Sequence, residues 1–253
     1  GRRVVLALSR IGKVAAATTA TTLIEAFKAD RIVFTGVAGG LADGVMVGDV
    51  VVADGFVQHD MDASPLFPRY QVPLTGRSVF DGDAPLTAQL LRAAQVALAD
   101  GGPLGKARVH QGLIASGDRF VNGREESAVL VSSLRAAGYA PLAVEMEGAA
   151  VAQVCFDYGV PFAAVRTISD RSDEASATDF QHFVTHVASR YARAISTAIP
   201  TRGHVAEARR GGVEGEGDAG EGLAPGTRWA DIPANWVCPL CGTPKADFDM
   251  IEL

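Results

Sequence analysis

Short apolar segments alternate with helix-like segments through the first 199 residues of this 253-residue chain. The predicted strands are residues 4–8, 31–35, 48–53, 56–59, 109–115, 142–145 and 162–168. The predicted helices are residues 13–28, 86–98, 125–137, 147–158 and 179–199, and residues 60–83 are predicted to form a long loop. Strands that alternate with helices in this way predict an α/β domain.

Carboxylates follow two of the predicted strands. The apolar residues 141–144 lead into Glu145 and Glu147, and the apolar residues 162–165 lead towards Asp170. Strand ends are the places where open α/β sheets gather catalytic groups. Acids delivered to one edge of a sheet predict acid–base chemistry on a small polar substrate.

Charge, hydropathy and cysteine content exclude several classes of protein. The formal net charge of −6 argues against a surface for nucleic acid or for an anionic membrane. No apolar run reaches the roughly 18 residues that a membrane span needs. Two of the three cysteines share one Cys-x-x-Cys, which is not a secreted disulfide framework, so a cytoplasmic location is expected.

The composition changes after Pro200. Residues 200–222 are rich in Gly, Glu and Arg and nearly devoid of apolar side chains, which is typical of a flexible linker. Residues 223–253 regain apolar and aromatic residues and contain Cys238 and Cys241. The sequence therefore predicts a domain over residues 1–199, a linker, and a small irregular tail.

Four segments of the predicted domain carry a resemblance to a known family. They read SRIGKVAAA at 9–17, TGVAGG at 35–40, SGDRFV at 116–121, and VEME at 144–147 followed by SD at 169–170. Their order and spacing make residues 4–199 resemble the 5'-methylthioadenosine/S-adenosylhomocysteine nucleosidases of the wider nucleoside phosphorylase superfamily. The resemblance implies a three-layer α/β/α domain with a mixed central sheet, which forms a homodimer and needs no cofactor.

The reaction that the resemblance implies is hydrolysis of the N-glycosidic bond between adenine and a 5'-thio-substituted ribose, through an oxocarbenium-like state. Asp170 is expected to protonate the adenine at N7, because unprotonated adenine is a poor leaving group, and Ser169 is expected to hold it. Partial burial favours an aspartic acid that keeps its proton. Glu147 is expected to accept hydrogen bonds from the ribose hydroxyls.

Further substrate contacts are implied by the same resemblance. Phe120 stacks on the adenine, Val121 offers its backbone to the base edge, and Met146 packs on the sugar. Arg166 supports the site. The remaining expected contacts are Glu145 and Val37. The loop over residues 60–70 resembles one that a dimer partner lends to the 5'-thio pocket.

Each of these residues also has a purely structural interpretation. Asp170 could be the N-cap of a following helix. Glu147 could be an acid at a helix start, where the helix dipole favours it. Phe120 could be an ordinary core residue. The glycines of residues 36–40 suit tight turns as well as a close approach of the backbone to a ligand. Phosphorolysis is the less favoured reaction, since the segment around Val37 supplies no arginine for a phosphate.

One expectation concerns residues upstream of Gly1. The resemblance implies a glutamate that activates the attacking water, N-terminal to the segment that matches residues 3–4. The chain is interpreted as N-terminally truncated and as lacking this base. A positioned general base contributes on the order of 10²–10⁴-fold, so slow turnover is expected. A domain that binds an adenine nucleoside without catalysis is the alternative.

The tail resembles the C-terminal half of rubredoxin. Rubredoxin holds iron through four cysteine thiolates from two Cys-x-x-Cys motifs, and the tail supplies one of these with Cys238 and Cys241. The resemblance thus implies half of an iron site, or a site completed by a second chain. An electron-transfer or metal-binding protein is the competing function.

Overall fold

The structure, a computed structural model, describes residue 5, residues 7–99, residues 106–171, and residues 233 and 235. The helix predicted at 179–199, the linker, and all of the tail except residues 233 and 235 lie outside the described residues, and so do Cys238 and Cys241. The described elements, in chain order, are α1 Lys13–Glu25, β1 Ile32–Gly40, β2 Val50–Gln58, β3 Val79–Asp81, α2 Ala84–Ala97, β4 Val109–Ser116, α3 Arg124–Ala136, β5 Ala143–Glu145, α4 Gly148–Tyr158 and β6 Phe162–Asp170.

The six strands form one mixed sheet in the order β3-β2-β4-β5-β1-β6. The β1–β6, β2–β4 and β4–β5 pairs are parallel, whereas β1–β5 and β2–β3 are antiparallel. Strand β6 also pairs with β2 in the antiparallel sense. Five strands are therefore joined in a closed ring, and the expected mixed sheet is confirmed.

Helices cover both faces of the sheet. Side chains alternate between the faces of a strand, and in β2 Val51 and Ala53 join the hydrophobic cluster that includes α1 and α4. Their neighbours Val50 and Val52 join the cluster that includes α2. Val57 packs with residues of α3 on that same second face. The three-layer α/β/α architecture is thus confirmed.

The predicted element boundaries need several corrections. Residues 4–8 do not form the predicted strand among the positions described there, since Ala7 makes a single bridge and Leu8 is 52% exposed. Residues 48–53 and 56–59 belong to one strand, β2, because a bulge between Ala53 and Gly55 absorbs the expected break. The glycines at 36–40 continue β1 instead of turning, because β5 and β6 pair with them. The loop at 60–83 contains β3.

A small residue brings α4 close to the sheet. A side-chain carbon added to Gly148, the first residue of α4, would fall well inside van der Waals contact with the Phe56 ring of β2. Glycine at this position lets the N-terminus of α4 lie directly beside the ends of the central strands. No helix within the described ranges has the length and hydropathy needed to cross a membrane.

Candidate active site

Strand pairing brings the predicted acids to one region of the sheet. Gly39 of β1 pairs with Val144 on one side and with Asp170 on the other. Neighbouring strands lie about 4.8 Å apart, so the backbones at Val144 and Asp170 are separated by about 10 Å. Ser116, at the end of β4, pairs with Glu145. Three strand ends therefore present polar side chains together.

Glu145 is a buried junction between β5, β4, β6 and α4. Its carboxylate accepts a hydrogen bond from the Gly148 N–H, 2.9 Å from each oxygen, and another from the Glu147 N–H at 3.1 Å. The Ser116 hydroxyl also donates to it, and the Arg166 guanidinium forms a salt bridge with it. The positive end of the α4 dipole adds to these favourable contacts. Glu145 thus fixes the start of α4.

Glu147 stands beside this junction and is more accessible. The Gly12 N–H donates to its Oε1 at 2.9 Å, and Arg166 Nη2 lies 3.7 Å from its Oε2. Burial raises the pKa of Glu147 above its usual value, and the neighbouring charge of Glu145 raises it further, while Arg166 opposes both effects. Its side chain is 15% exposed, so a ligand can reach it.

Arg166 spans β1 to reach the two glutamates. It pairs with Gly36 across the β1–β6 ladder, and a side-chain carbon at Gly36 would collide with its guanidinium. The guanidinium carbon also lies 4.1 Å from the centre of the Phe34 ring, a cation–π distance. The arginine is 2% exposed. Gly36 therefore gives space to Arg166, a different reason for glycine from those that the sequence suggested.

Asp170 and Ser169 end β6 in a buried position. Asp170 is 2% exposed and Ser169 is 1% exposed. The Ser169 hydroxyl donates to Asp170 Oδ2 at 2.8 Å, and the Ala38 carbonyl lies 3.4 Å from the same hydroxyl. The serine therefore fixes one carboxyl oxygen of Asp170 against β1.

The segment after β4 carries the expected contacts to the base. The Phe120 side chain is 41% exposed, whereas Val121 is buried in a cluster with Tyr70 and Leu134. Since the Val121 side chain belongs to the core, the expected contact with the base edge is left to its backbone. Met146, directly after β5, and Val37, within β1, are half-buried.

Sequence reasoning from the strand ends missed the contribution of the start of α1. Gly12, at a φ of 94°, donates to Glu147, and the Lys13 N–H donates to Asp118 Oδ1 at 2.7 Å. The signal was present, since both donors lie in the 9–17 motif. A cleft of about 500 Å³ opens here, lined by Arg10, Ile11, Gly12, Val14, Ala15, Thr18, Thr19 and Asp118.

The C-terminal part of the chain matches the rubredoxin family over residues 213–248. This matched segment holds two cysteines, Cys238 and Cys241, which is half of the thiolate set of a rubredoxin iron. The third cysteine of the chain, Cys155, is buried in α4, and burial raises its pKa to about 12. One chain therefore does not supply a complete rubredoxin ligand set. Within the described residues, no group of three or more metal-ligating side chains is found.

Known proteins resemble the described domain in sequence and fold. A 5'-methylthioadenosine/S-adenosylhomocysteine nucleosidase of Actinobacillus succinogenes is 42% identical over 73% of this chain and 75% of its own length. An aminodeoxyfutalosine nucleosidase of Helicobacter pylori is 35% identical over 78% of this chain and 80% of its own. The 5'-methylthioadenosine/S-adenosylhomocysteine nucleosidase of Neisseria meningitidis, solved with methylthio-immucillin-A, is 38% identical, with a TM-score of 0.66 over 76% of this chain and 77% of that one.

The model of the phosphorylase superfamily matches residues 1–200, which include the whole described site. The nucleosidases of Actinobacillus succinogenes and Shewanella halifaxensis align with 186 and 184 residues of the chain. The chain therefore belongs to the phosphorylase superfamily and, within it, to the 5'-methylthioadenosine/S-adenosylhomocysteine nucleosidases.

Proposed function

We propose that the chain hydrolyses the N-glycosidic bond of 5'-methylthioadenosine or S-adenosylhomocysteine and releases adenine. The observation that carries this proposal is the pairing of Gly39 with both Val144 and Asp170, which brings Asp170 and Glu147 to one end of the sheet. The 42% identity to a nucleosidase over 73% of this chain supports it. The proposed reaction changes no oxidation state, and we propose that it needs no cofactor.

Asp170 acts on the leaving group. As the bond between the ribose C1' and the adenine N9 breaks, its electron pair moves onto the adenine, and Asp170 gives a proton to N7. Water then forms a bond to C1' and loses a proton to solvent, which gives the free sugar. The hydrogen bond from Ser169 to Oδ2 holds the carboxyl in one orientation. A positioned general acid of this kind contributes on the order of 10²–10⁴-fold.

Glu147 acts on the ribose. Its carboxylate accepts hydrogen bonds from the sugar hydroxyls and so opposes the positive charge that develops at C1'. Gly12 and Arg166 orient it from two sides. Glu145 has its oxygens engaged by Ser116, Arg166 and the start of α4, so it acts as a positioning residue for Glu147.

The base and the 5'-thio group occupy the space between the β4 segment and α1. Phe120 stacks on the adenine and Val121 presents its backbone to the base edge, while Met146 and Val37 contact the nucleoside. The cleft at α1 suits an apolar thio substituent, because the side chains of Ile11 and Val14 that line it are 72% and 78% exposed.

A second copy of the chain is expected to complete the pocket. Leu66, in the loop that links Asp60 to Tyr70, is 84% exposed. Burial of such a side chain against a partner is favourable by about 25 cal/mol per Å² of apolar surface. Light scattering with size-exclusion chromatography is expected to give twice the chain mass, and a monomer would contradict this part of the proposal.

The test of function is release of adenine from each nucleoside, followed by chromatography with and without inorganic phosphate. Hydrolysis predicts the free 5-thio-substituted ribose as product and no dependence on phosphate. The 1-phosphate of that sugar as product would establish phosphorolysis instead. Binding of methylthioadenosine without detectable adenine release would favour a binding function.

A further inference from the structure

We infer that Asp60 and Lys13 are positioning residues, which hold the base-binding segment at residues 116–121 against the start of α1. The inference rests on the proposed function of this site. Three interactions join Asp60, Lys13 and Asp118 in a closed ring. Asp60 Oδ1 accepts from Lys13 Nζ at 2.7 Å, Asp60 Oδ2 accepts from the Asp118 N–H at 2.9 Å, and Asp118 Oδ1 accepts from the Lys13 N–H at 2.7 Å.

The ring links three segments that are distant in sequence. Lys13 begins α1, Asp60 follows the end of β2, and Asp118 follows the end of β4. Backbone N–H groups of Lys13 and Asp118 take part, so the ring fixes main chain as well as side chains. We call these three residues the Asp60 ring.

The ring lies between the two halves of the proposed nucleoside site. Gly12, next to Lys13, donates to Glu147 on the ribose side. Phe120, two residues after Asp118, stands on the base side. A shift of either segment changes the distance between the ribose acceptor and the base platform, and small misplacements of this kind are costly in catalysis.

Lys13 extends the ring towards α4. Its Nζ also donates to Gln58 Oε1 at 3.1 Å, and Gln58 Nε2 donates to Gln153 Oε1 of α4 at 2.8 Å. The Lys13 side chain is 19% exposed and the Asp60 side chain is 30% exposed, so water only partly screens the ion pair.

Both oxygens of Asp60 must act as acceptors, and this requirement selects a carboxylate. Burial raises the pKa of Asp60, but the hydrogen bonds from Lys13 and Asp118, together with the nearby charges of Lys13 and His59, outweigh it and leave the pKa below its usual value. Asparagine has the same shape, yet its amide NH₂ cannot accept from the second donor. Asp60→Asn is therefore a matched test of the ring.

The experiment compares the parent with Asp60→Asn, Lys13→Met and the double variant in adenine release from methylthioadenosine. Loss of a hydrogen bond to a charged group predicts a KM increase of about tenfold in each single variant. Because the two residues act through one ring, the double variant is expected to match a single variant instead of multiplying the effects. The control is Asp81→Asn, which removes an exposed ion pair with Arg77 and should leave KM unchanged.

Amide hydrogen exchange on the same proteins tests the role of the Asp60 ring separately from the proposed function. Faster exchange at residues 116–121 in Asp60→Asn, but not in Asp81→Asn, is expected. A parent that releases adenine and an Asp60→Asn variant with unchanged KM would overturn the role of the ring alone. A parent without turnover would overturn the proposed function, and unchanged exchange in Asp60→Asn would then overturn the ring as well.

Discussion

At the scale of single residues, Asp170 carries the chemistry of the proposed reaction most directly. Its burial and its hydrogen bond from Ser169 suit a carboxyl that delivers a proton in a fixed direction. We expect Asp170→Asn to lower kcat by about 10²–10⁴-fold. Asparagine keeps the shape, so the affinity for methylthioadenosine is expected to change much less, as calorimetry can measure.

A surface variant controls for the change of an acid into an amide. Asp157, on α4, is exposed and is not part of the described site. Asp157→Asn should retain the kcat of the parent. If Asp170→Asn also retained it, Asp170 would be excluded as the general acid.

Glu147 gives the site a pH dependence of known sign. It must be ionised to accept hydrogen bonds from the ribose, and its pKa is raised by burial and by the charge of Glu145. On acidification the carboxylate is therefore lost at a higher pH than for an ordinary glutamate. We expect KM for methylthioadenosine to rise on acidification, beginning above the usual titration range of a glutamate, in a pH profile of initial rates.

The same pKa shift makes folding stability fall as pH rises, whereas substrate binding is expected to weaken as pH falls. A carboxyl with a raised folded pKa binds more protons in the folded state, so its contribution to stability falls as pH rises between the unfolded and folded pKa values. Relative to Glu147→Gln, the parent should lose stability as pH increases through that interval. A parallel pH dependence of Tm in the two proteins would contradict the raised pKa.

At the scale of elements, the crossing of β1 by Arg166 links the sheet to the site. Gly36→Ala places a methyl group where the guanidinium lies, so the contacts with Glu145 and Glu147 must break. Breaking a buried ion pair costs about 3–5 kcal/mol. We expect the free energy of unfolding in urea to fall by about 3 kcal/mol, together with loss of activity.

Gly44→Ala is the matched control, because no atom lies within 4 Å of the added carbon. It should be neutral, or stabilising by about 0.4–1 kcal/mol through the unfolded chain. Equal stability of the two alanine variants would show that Arg166 adjusts at no cost.

Local patterns predicted the type of most described elements, but tertiary pairing decided several of their limits. Composition and periodicity were enough to predict the Ala-rich α1 as a helix and the apolar β6 as a strand. Residues 36–40 looked like a turn because of their glycines, yet β5 and β6 pair with them on both sides. The β2–β6 pairing, which closes the ring of strands, has no local signal.

The candidate site shows the same division. Asp170 and Glu147 could be identified because each follows an apolar strand, and the family resemblance gave them roles. The contact between Gly12 and Glu147 joins residues 135 positions apart, and the Asp60 ring joins three segments that are distant in sequence. Such contacts depend on how strands are ordered in the sheet, so periodicity within one segment cannot reveal them.

At the scale of the whole molecule, the chain combines a nucleosidase domain with a segment that matches rubredoxin at residues 213–248. Four thiolates hold a rubredoxin iron, and this segment has two. Cys155, which is buried in α4, would bring the number of thiolates only to three. We predict that the purified chain holds no rubredoxin-type iron.

Thiol titration and metal analysis test this prediction on the full chain. A protonated, buried thiol is unreactive, so we expect two reactive thiols, Cys238 and Cys241, in the native protein and three after unfolding. The variant Cys155→Ala should remove the thiol that appears on unfolding and leave the native count unchanged. One iron per chain, with the visible absorption of a ferric thiolate site, would overturn the prediction. One iron for every two chains would overturn it as well, and would indicate a site of four thiolates shared by two copies, because each copy contributes one Cys-x-x-Cys.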